Sequence, residues 1–186
     1  MADLIVSEFV SLDGVMEAPG GEPGYAHTGW VHPYMGEEQV ESKFEEVRSA
    51  GSHLLGRVTY ESFAGAWPER EGPFAERINS MPKFVVTGSP EQVTWRNSTA
   101  LQGDPIEAVR ELKRSQSEAL LLAGSRTLAQ SLLAADLVDE LQLMVMPVVL
   151  GSGERLFPPS ERKLELRLTE SLRFDNGVLL NTYRTD

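Results

Sequence analysis

Apolar positions set the first outline of the chain. Leu4-Ile5-Val6 and Phe9-Val10 form a short apolar run that reads as a strand. It stops at Ser11-Leu12-Asp13-Gly14, a turn-forming sequence. Over residues 37–49, Val40, Phe44 and Val47 fall on one helical face. His53-Leu54-Leu55 predicts a buried strand ending in Gly56, followed by a helix over about 59–67 that Pro68 breaks. Phe84 to Thr87 is another strand, stopped by Gly88-Ser89-Pro90. Asp104-Pro105-Ile106-Glu107 has the marks of a helix start: an N-cap acid, a proline in the first turn and a glutamate behind it. Residues 119–123 are continuously apolar, as in a central strand covered on both faces. Gly124-Ser125 then opens a helix carrying Leu128, Leu132 and Leu133, with Ser125 as its candidate cap. Residues 137–150 predict one long strand, bent or exposed at Pro147. Leu164, Leu166 and Leu168 alternate with polar residues, and Asp175-Asn176-Gly177 reads as a hairpin turn before residues 178–184. The order is strand–helix repeats first and a hairpin last. It predicts one α/β domain over residues 1–186, with a mixed central sheet, helices on both faces and a C-terminal antiparallel hairpin.

Residues 17–36 interrupt this pattern with glycine at 20, 21, 24, 29 and 36 and proline at 19, 23 and 33. A loop of that length in a compact domain is commonly functional. Tyr25, Trp30 and Tyr34 favour an ordered loop, because aromatic side chains seek burial.

Composition removes several chemistries. The 186 residues include no cysteine, which excludes disulfides, iron–sulfur clusters, thiolate zinc sites and cysteine nucleophiles. A cytoplasmic setting is the corresponding expectation. The net charge of -11 argues against nucleic-acid and anionic-membrane partners, so an anionic ligand needs a local basic site. No apolar run approaches the ~20 residues of a membrane span. His27 and His32 share one loop without an acid-rich partner helix, and no metal site is expected.

Two segments supply such a basic site. Leu55-Gly56-Arg57-Val58-Thr59 is a strand, a glycine turn and a helix start, and Ala123-Gly124-Ser125-Arg126-Thr127-Leu128 repeats the arrangement. A helix N-terminus offers free N–H groups and partial positive charge, and arginine adds a planar fork for phosphate oxygens. Most such turns bind nothing. Two of them in an acidic chain favour an anionic dinucleotide, and ligands of open sheets sit at the carboxyl ends of strands. Gly151-Ser152-Gly153 is not a Rossmann fingerprint, since the third glycine is missing and Leu156-Phe157-Pro158-Pro159 follows instead of a helix.

Residues 7–17 (SEFVSLDGVME), 56–61 (GRVTYE), 123–128 (AGSRTL) and 147–153 (PVVLGSG) together resemble the dihydrofolate reductase-like superfamily. The nearer likeness is to the C-terminal reductase domain of riboflavin-pathway deaminase–reductases. The resemblance implies a three-layer dihydrofolate reductase-like fold and an NADPH-dependent reductase. It places Gly56, Arg57 and Thr59 at the adenosine phosphate end of the cofactor, and Thr87, Gly88 and Ser89 near the adenosine. It makes Gly124, Ser125, Arg126, Thr127 and Leu128 the pyrophosphate clamp, and sets Asp13, Gly14, Val15 and Met16 beside the nicotinamide. It also implies a homodimer.

The expected reaction is hydride transfer to an electron-poor C=N or C=O carbon of a small heterocyclic or sugar-linked substrate, as in 5-amino-6-(5-phosphoribosylamino)uracil reduction. Asp13 is the candidate for substrate positioning or proton transfer, with Glu17 behind it; as a turn residue it can equally serve the backbone. Dihydrofolate reduction is the enzyme alternative, although the acid that holds the pteridine in those enzymes finds no clear match in residues 34–38. A nucleotide-binding module without turnover is the non-enzyme alternative.

Overall fold

A computed structural model describes residues 1–185. The strands are β1 (Leu4–Ser11), β2 (Ser52–Gly56), β3 (Lys83–Val86), β4 (Ser98–Leu101), β5 (Leu120–Ala123), β6 (Glu140–Met146), β7 (Leu166–Arg173) and β8 (Leu179–Thr185). The helices are α1 (Glu37–Ser49), α2 (Arg57–Ala66), α3 (Pro73–Ser80), α4 (Pro105–Ser115) and α5 (Arg126–Ala134). All strands join one sheet in the order β4-β3-β2-β5-β1-β6-β8-β7. The pairs from β4 across to β6 are parallel, while β8 runs antiparallel to both β6 and β7. The expected mixed sheet with a terminal hairpin is therefore present. Gly177 turns that hairpin at φ +86°.

Strand alternation splits the core in two. Leu4, Val6, Leu120, Leu122 and Leu141 pack with Val109 and Leu112 of α4 and Leu132 of α5. On the other face Leu55, Val85 and Leu121 meet Val47 of α1, Tyr60 of α2 and Ile78 of α3. Each such side chain contributes about 1.5–3 kcal/mol when fully buried. A third cluster joins Trp30 and Val31 to Met144, Met146, Phe174 and Val178, and it holds the 17–36 loop on the sheet. The Trp30 indole also donates to the Glu17 carbonyl at 2.8 Å.

Several elements depart from expectation. Helix α3 and strand β4 were not predicted. Strand β6 ends at Met146, because Val148 turns back to donate to the Met146 carbonyl at 2.8 Å and gives its own carbonyl to the Leu12 amide. Residues 137–139 are a connection, tied by the Leu137 amide to the Leu132 carbonyl at 3.0 Å. Val40 is exposed, and Gln39 is buried in its place, accepting from the Gly36 amide and donating to Asn176. The expected cap of α4 is present: the Asp104 carboxylate accepts from the Ile106 and Glu107 amides, each at 3.0 Å. Among the described residues, no helix is long and apolar enough to cross a membrane.

Candidate active site

The parallel strands β3, β2, β5 and β1 all present their carboxyl ends along one edge of the sheet. β1 and β5 separate there. Their ladder ends at Ser7 opposite Ala123, while β1 continues along β6 to Ser11. The parting lies where the strand order reverses, the usual place for a ligand crevice.

The two predicted anion segments meet at this edge. The Gly56 amide donates to the Ser125 hydroxyl at 2.8 Å, so the turns after β2 and β5 are tied together directly. Ser125 therefore does not cap α5: its side chain is engaged across the cleft, and its backbone sits in the left-handed region at φ +62°. Gly124 is also left-handed, at φ +69°, and a Cβ there would lie 3.2 Å from the Thr59 methyl. Neither α2 nor α5 has a side-chain cap, which leaves their first-turn amides without a side-chain acceptor.

Both arginines are placed at these helix starts, each held in a pair. Arg57 bonds Glu61 one turn on at 2.9 Å, and Arg126 bonds Glu154 at 2.6 Å. Such solvated pairs are worth only about 0–1 kcal/mol, so an incoming anion can replace the carboxylate at little cost. On the third strand end, Thr87 accepts the Ser89 amide at 3.0 Å, and Gly88 faces open space. Thr127 is exposed. Leu128, Val15 and Met16 are buried, so only their main chains can face a ligand.

Asp13 stands at the other wall, and its carboxylate is already engaged. It accepts from the Ser11 hydroxyl at 2.7 Å and from the Leu150 and Gly151 amides at 3.1 and 2.9 Å, with Arg155 at 3.5 Å. These bonds, the Ser11 hydroxyl first, hold its pKa at about 2. Asp13 is thus ionised at neutral pH and carries no proton to give. It braces the 147–155 segment, which is also held by the Leu12 amide on the Val148 carbonyl, the Met16 amide on the Glu154 carbonyl and the Val15–Arg155 bridge. Glu17 is committed likewise, accepting the Glu154 amide at 2.8 Å. The 17–36 loop folds against the same segment: the Tyr25 hydroxyl donates to the Ser152 carbonyl at 2.6 Å. His27 and His32 are both exposed.

A buried polar cluster near the parting was not anticipated. Lys43 of α1 donates to the Ser7 hydroxyl at 2.6 Å and to Glu46 at 2.9 Å, and Ser7 donates to Glu46 at 2.7 Å. Gln142 lies beside Ser7 in register on β6. Glu8 follows Ser7 and is only 3% exposed. One oxygen each of Glu8, Glu46 and Gln142 is buried without a hydrogen-bond partner. A glutamate inside an alternating strand and charged residues on an amphipathic helix read as solvent-facing, which is why the pattern conceals them.

Comparison with known proteins bears on the fold and the family. The uncharacterised protein YwjB of Bacillus subtilis is 28% identical over 176 residues, covering 94% of this chain and 94% of its own. The structure of a riboflavin biosynthesis protein from Shewanella sp. PV-4 matches with a TM-score of 0.78 at 22% identity, over 100% of this chain and 99% of that one. Dihydrofolate reductase from Enterococcus faecalis, solved with NADP(H), matches with a TM-score of 0.63 at 16% identity, over 99% and 96%. The fold is thus dihydrofolate reductase-like. With the RibD C-terminal domain matching residues 2–180, the chain belongs to that family.

Proposed function

We propose that this chain is an NADPH-dependent reductase acting on a C=N or C=O carbon of a small heterocyclic or sugar-linked compound, of the kind turned over in riboflavin biosynthesis. The observation that carries this reading is the junction of the two anion segments, Gly56-Arg57-Thr59 and Gly124-Ser125-Arg126, beside the parting of β1 and β5. Two uncapped helix starts, a glycine turn open to close approach and two arginines in weak pairs suit an anionic dinucleotide. The nicotinamide, when bound, supplies the hydride. The chain's own residues do the rest. Arg57 holds the 2′-phosphate, and the amides around Gly124 and Ser125 hold the pyrophosphate. Asp13 fixes the 147–153 wall in place. The aromatic cluster around Trp30 keeps the 17–36 loop seated, and water is excluded from that side.

Dihydrofolate is a second substrate reading, on one observation: Glu46 is a half-buried acid on α1 with one buried oxygen that has no hydrogen-bond partner. A homodimer belongs to the proposal as well. Leu168 and Leu172 are exposed on the edge strand β7 and give an apolar border for a second copy. The test is NADPH oxidation, followed by absorbance, against a panel of aminouracil, pterin and carbonyl substrates. Turnover of one class is expected. Tight cofactor binding with no turnover across the panel would favour a binding module instead.

A further inference from the structure

Helix α1 turns an acidic flank toward the sheet. Between it and strands β6, β8 and β7 runs a groove of about 840 Å³, within the size range of small-molecule sites. Glu38, Glu41, Glu45 and Glu46 form the helical wall, at the spacing of one helix flank, and Glu170 of β7 lines the opposite side. The floor carries Leu172, Phe174 and Leu180, and Leu172 is 46% exposed. Among the described residues, no lysine or arginine lines the groove.

The deep side of the groove carries a second, independent signal. Glu46 and Gln142 both line it, and each has one oxygen buried without a hydrogen-bond partner. Glu46 as a whole is half-buried, but its side chain is only 9% exposed. The two residues are neighbours: Ser7 donates to Glu46, and Gln142 is the register partner of Ser7 on β6. Ser7 and Lys43 both bond the other Glu46 oxygen, and the Gln142 amide donates to Glu140. Two buried acceptors thus lack a donor, which native proteins seldom leave unsupplied.

We propose that this groove binds an organic cation: a primary ammonium carried on a slim apolar body. The ammonium has three N–H donors and serves the free oxygens of Glu46 and Gln142 together. The apolar body lies on Leu172 and Leu180. Lys43 and Arg48 offset Glu46 and Glu45. Glu38, Glu41 and Glu170 have no ion pair among the described residues, so the groove keeps a negative field that draws a cation in. The site is separate from the proposed cofactor cleft. Its strands β6, β8 and β7 lie across β1 from β5, β2 and β3, so it stands whether or not the chain binds NADPH.

The experiment is calorimetric titration of the full chain at low salt with phenethylamine, the neutral phenethyl alcohol and the anionic hydrocinnamate. The amine should saturate one site per chain. The alcohol should bind at least about tenfold more weakly for want of the charge-assisted bonds, and hydrocinnamate should not bind. Added salt should weaken the amine alone. Glu46→Gln keeps the shape and should cost the amine at least about tenfold in affinity, with folding checked by circular dichroism. The double variant Glu41→Gln, Glu170→Gln changes two exposed residues and decides the matter if Glu46→Gln does not fold. It should weaken the amine by about three- to tenfold and leave the alcohol unchanged. Equal binding of amine and alcohol, unchanged amine affinity in the double variant, or no saturation below about 10 mM would overturn the proposal. Displacement of the amine by dihydrofolate would make Glu46 a contact of that substrate and overturn a separate site. None of these results bears on NADPH binding, which is read by its own titration.

Discussion

Helices α4 and α5 begin in the same way in sequence and differently in space. Each starts after a turn with a small polar residue at its head. At α4, Asp104 turns its carboxylate inward and satisfies two first-turn amides of its own helix. At α5, Ser125 sends its hydroxyl across to the Gly56 amide and leaves the first turn of α5 without a side-chain acceptor. The first start is a closed structural cap, and the second remains open to an anion. Position decides the difference. α4 leads from edge strand β4 toward β5, whereas α5 starts at a central strand end beside the β1–β5 parting. A cap that serves folding consumes the helix dipole; one that serves binding leaves it free.

The largest effect is expected at Gly124. Gly124→Val forces a β-branched residue to φ +69° and against Thr59. The strain alone is about 1–3 kcal/mol. NADPH binding should be lost, and the urea midpoint should fall as well. A folded variant that binds normally would contradict the open-start reading of α5. Next comes Arg57→Ala. It removes a charge-assisted contact worth about 1.5–3 kcal/mol, so NADPH affinity should fall roughly ten- to a hundred-fold while NADH affinity barely moves. Its pair with Glu61 is exposed, so stability should stay within about 0.5 kcal/mol. Equal losses for both cofactors would take Arg57 out of the phosphate role.

Asp13→Asn should act on stability before chemistry. The carboxylate is partly exposed and Asn keeps one acceptor, so a loss of about 1–2 kcal/mol at neutral pH is expected, below the full worth of its charged bonds. The folded pKa of about 2 lies below the ordinary 3.8, so this stability is present above about pH 4 and is lost as pH falls toward 2. The gap between wild type and variant in acid unfolding should therefore close across that window. A gap that persists at pH 2 would show that the ionised carboxylate is not the source. The smallest effect is at the closed start. Asp104→Ala should cost about 1 kcal/mol of stability and leave NADPH affinity unchanged. A change in cofactor affinity there would blur the distinction between the two helix starts.

Much of this was legible in the chain, for physical reasons. The turn chemistry at Asp104, the hairpin at Asn176-Gly177 and the apolar run of β5 are local signals, and the structure carries each of them. The glycine turns at Gly56 and Gly124 were also visible. Their meeting was not, because the Gly56–Ser125 bond joins residues 69 apart in sequence. α3 was hidden by Gly72-Pro73 at its head, which reads as a break. β4 was too short and too polar to register. The burial of Glu8 and the half-burial of Lys43 depend on which strands flank β1 and on how α1 lies across it, and no local pattern records either. Asp13 shows the converse. The sequence marks it out as an acid in a turn, but only its partners reveal that the charge is spent on the Leu150–Gly151 backbone.

The most direct test of the open helix starts is a titration of the wild-type chain with NADPH and NADH near pH 6.5, followed by nicotinamide fluorescence. Saturable binding of one NADPH per chain, with NADH weaker by roughly ten- to a hundred-fold, is the expected result. Absence of binding by either dinucleotide would contradict the account at its centre.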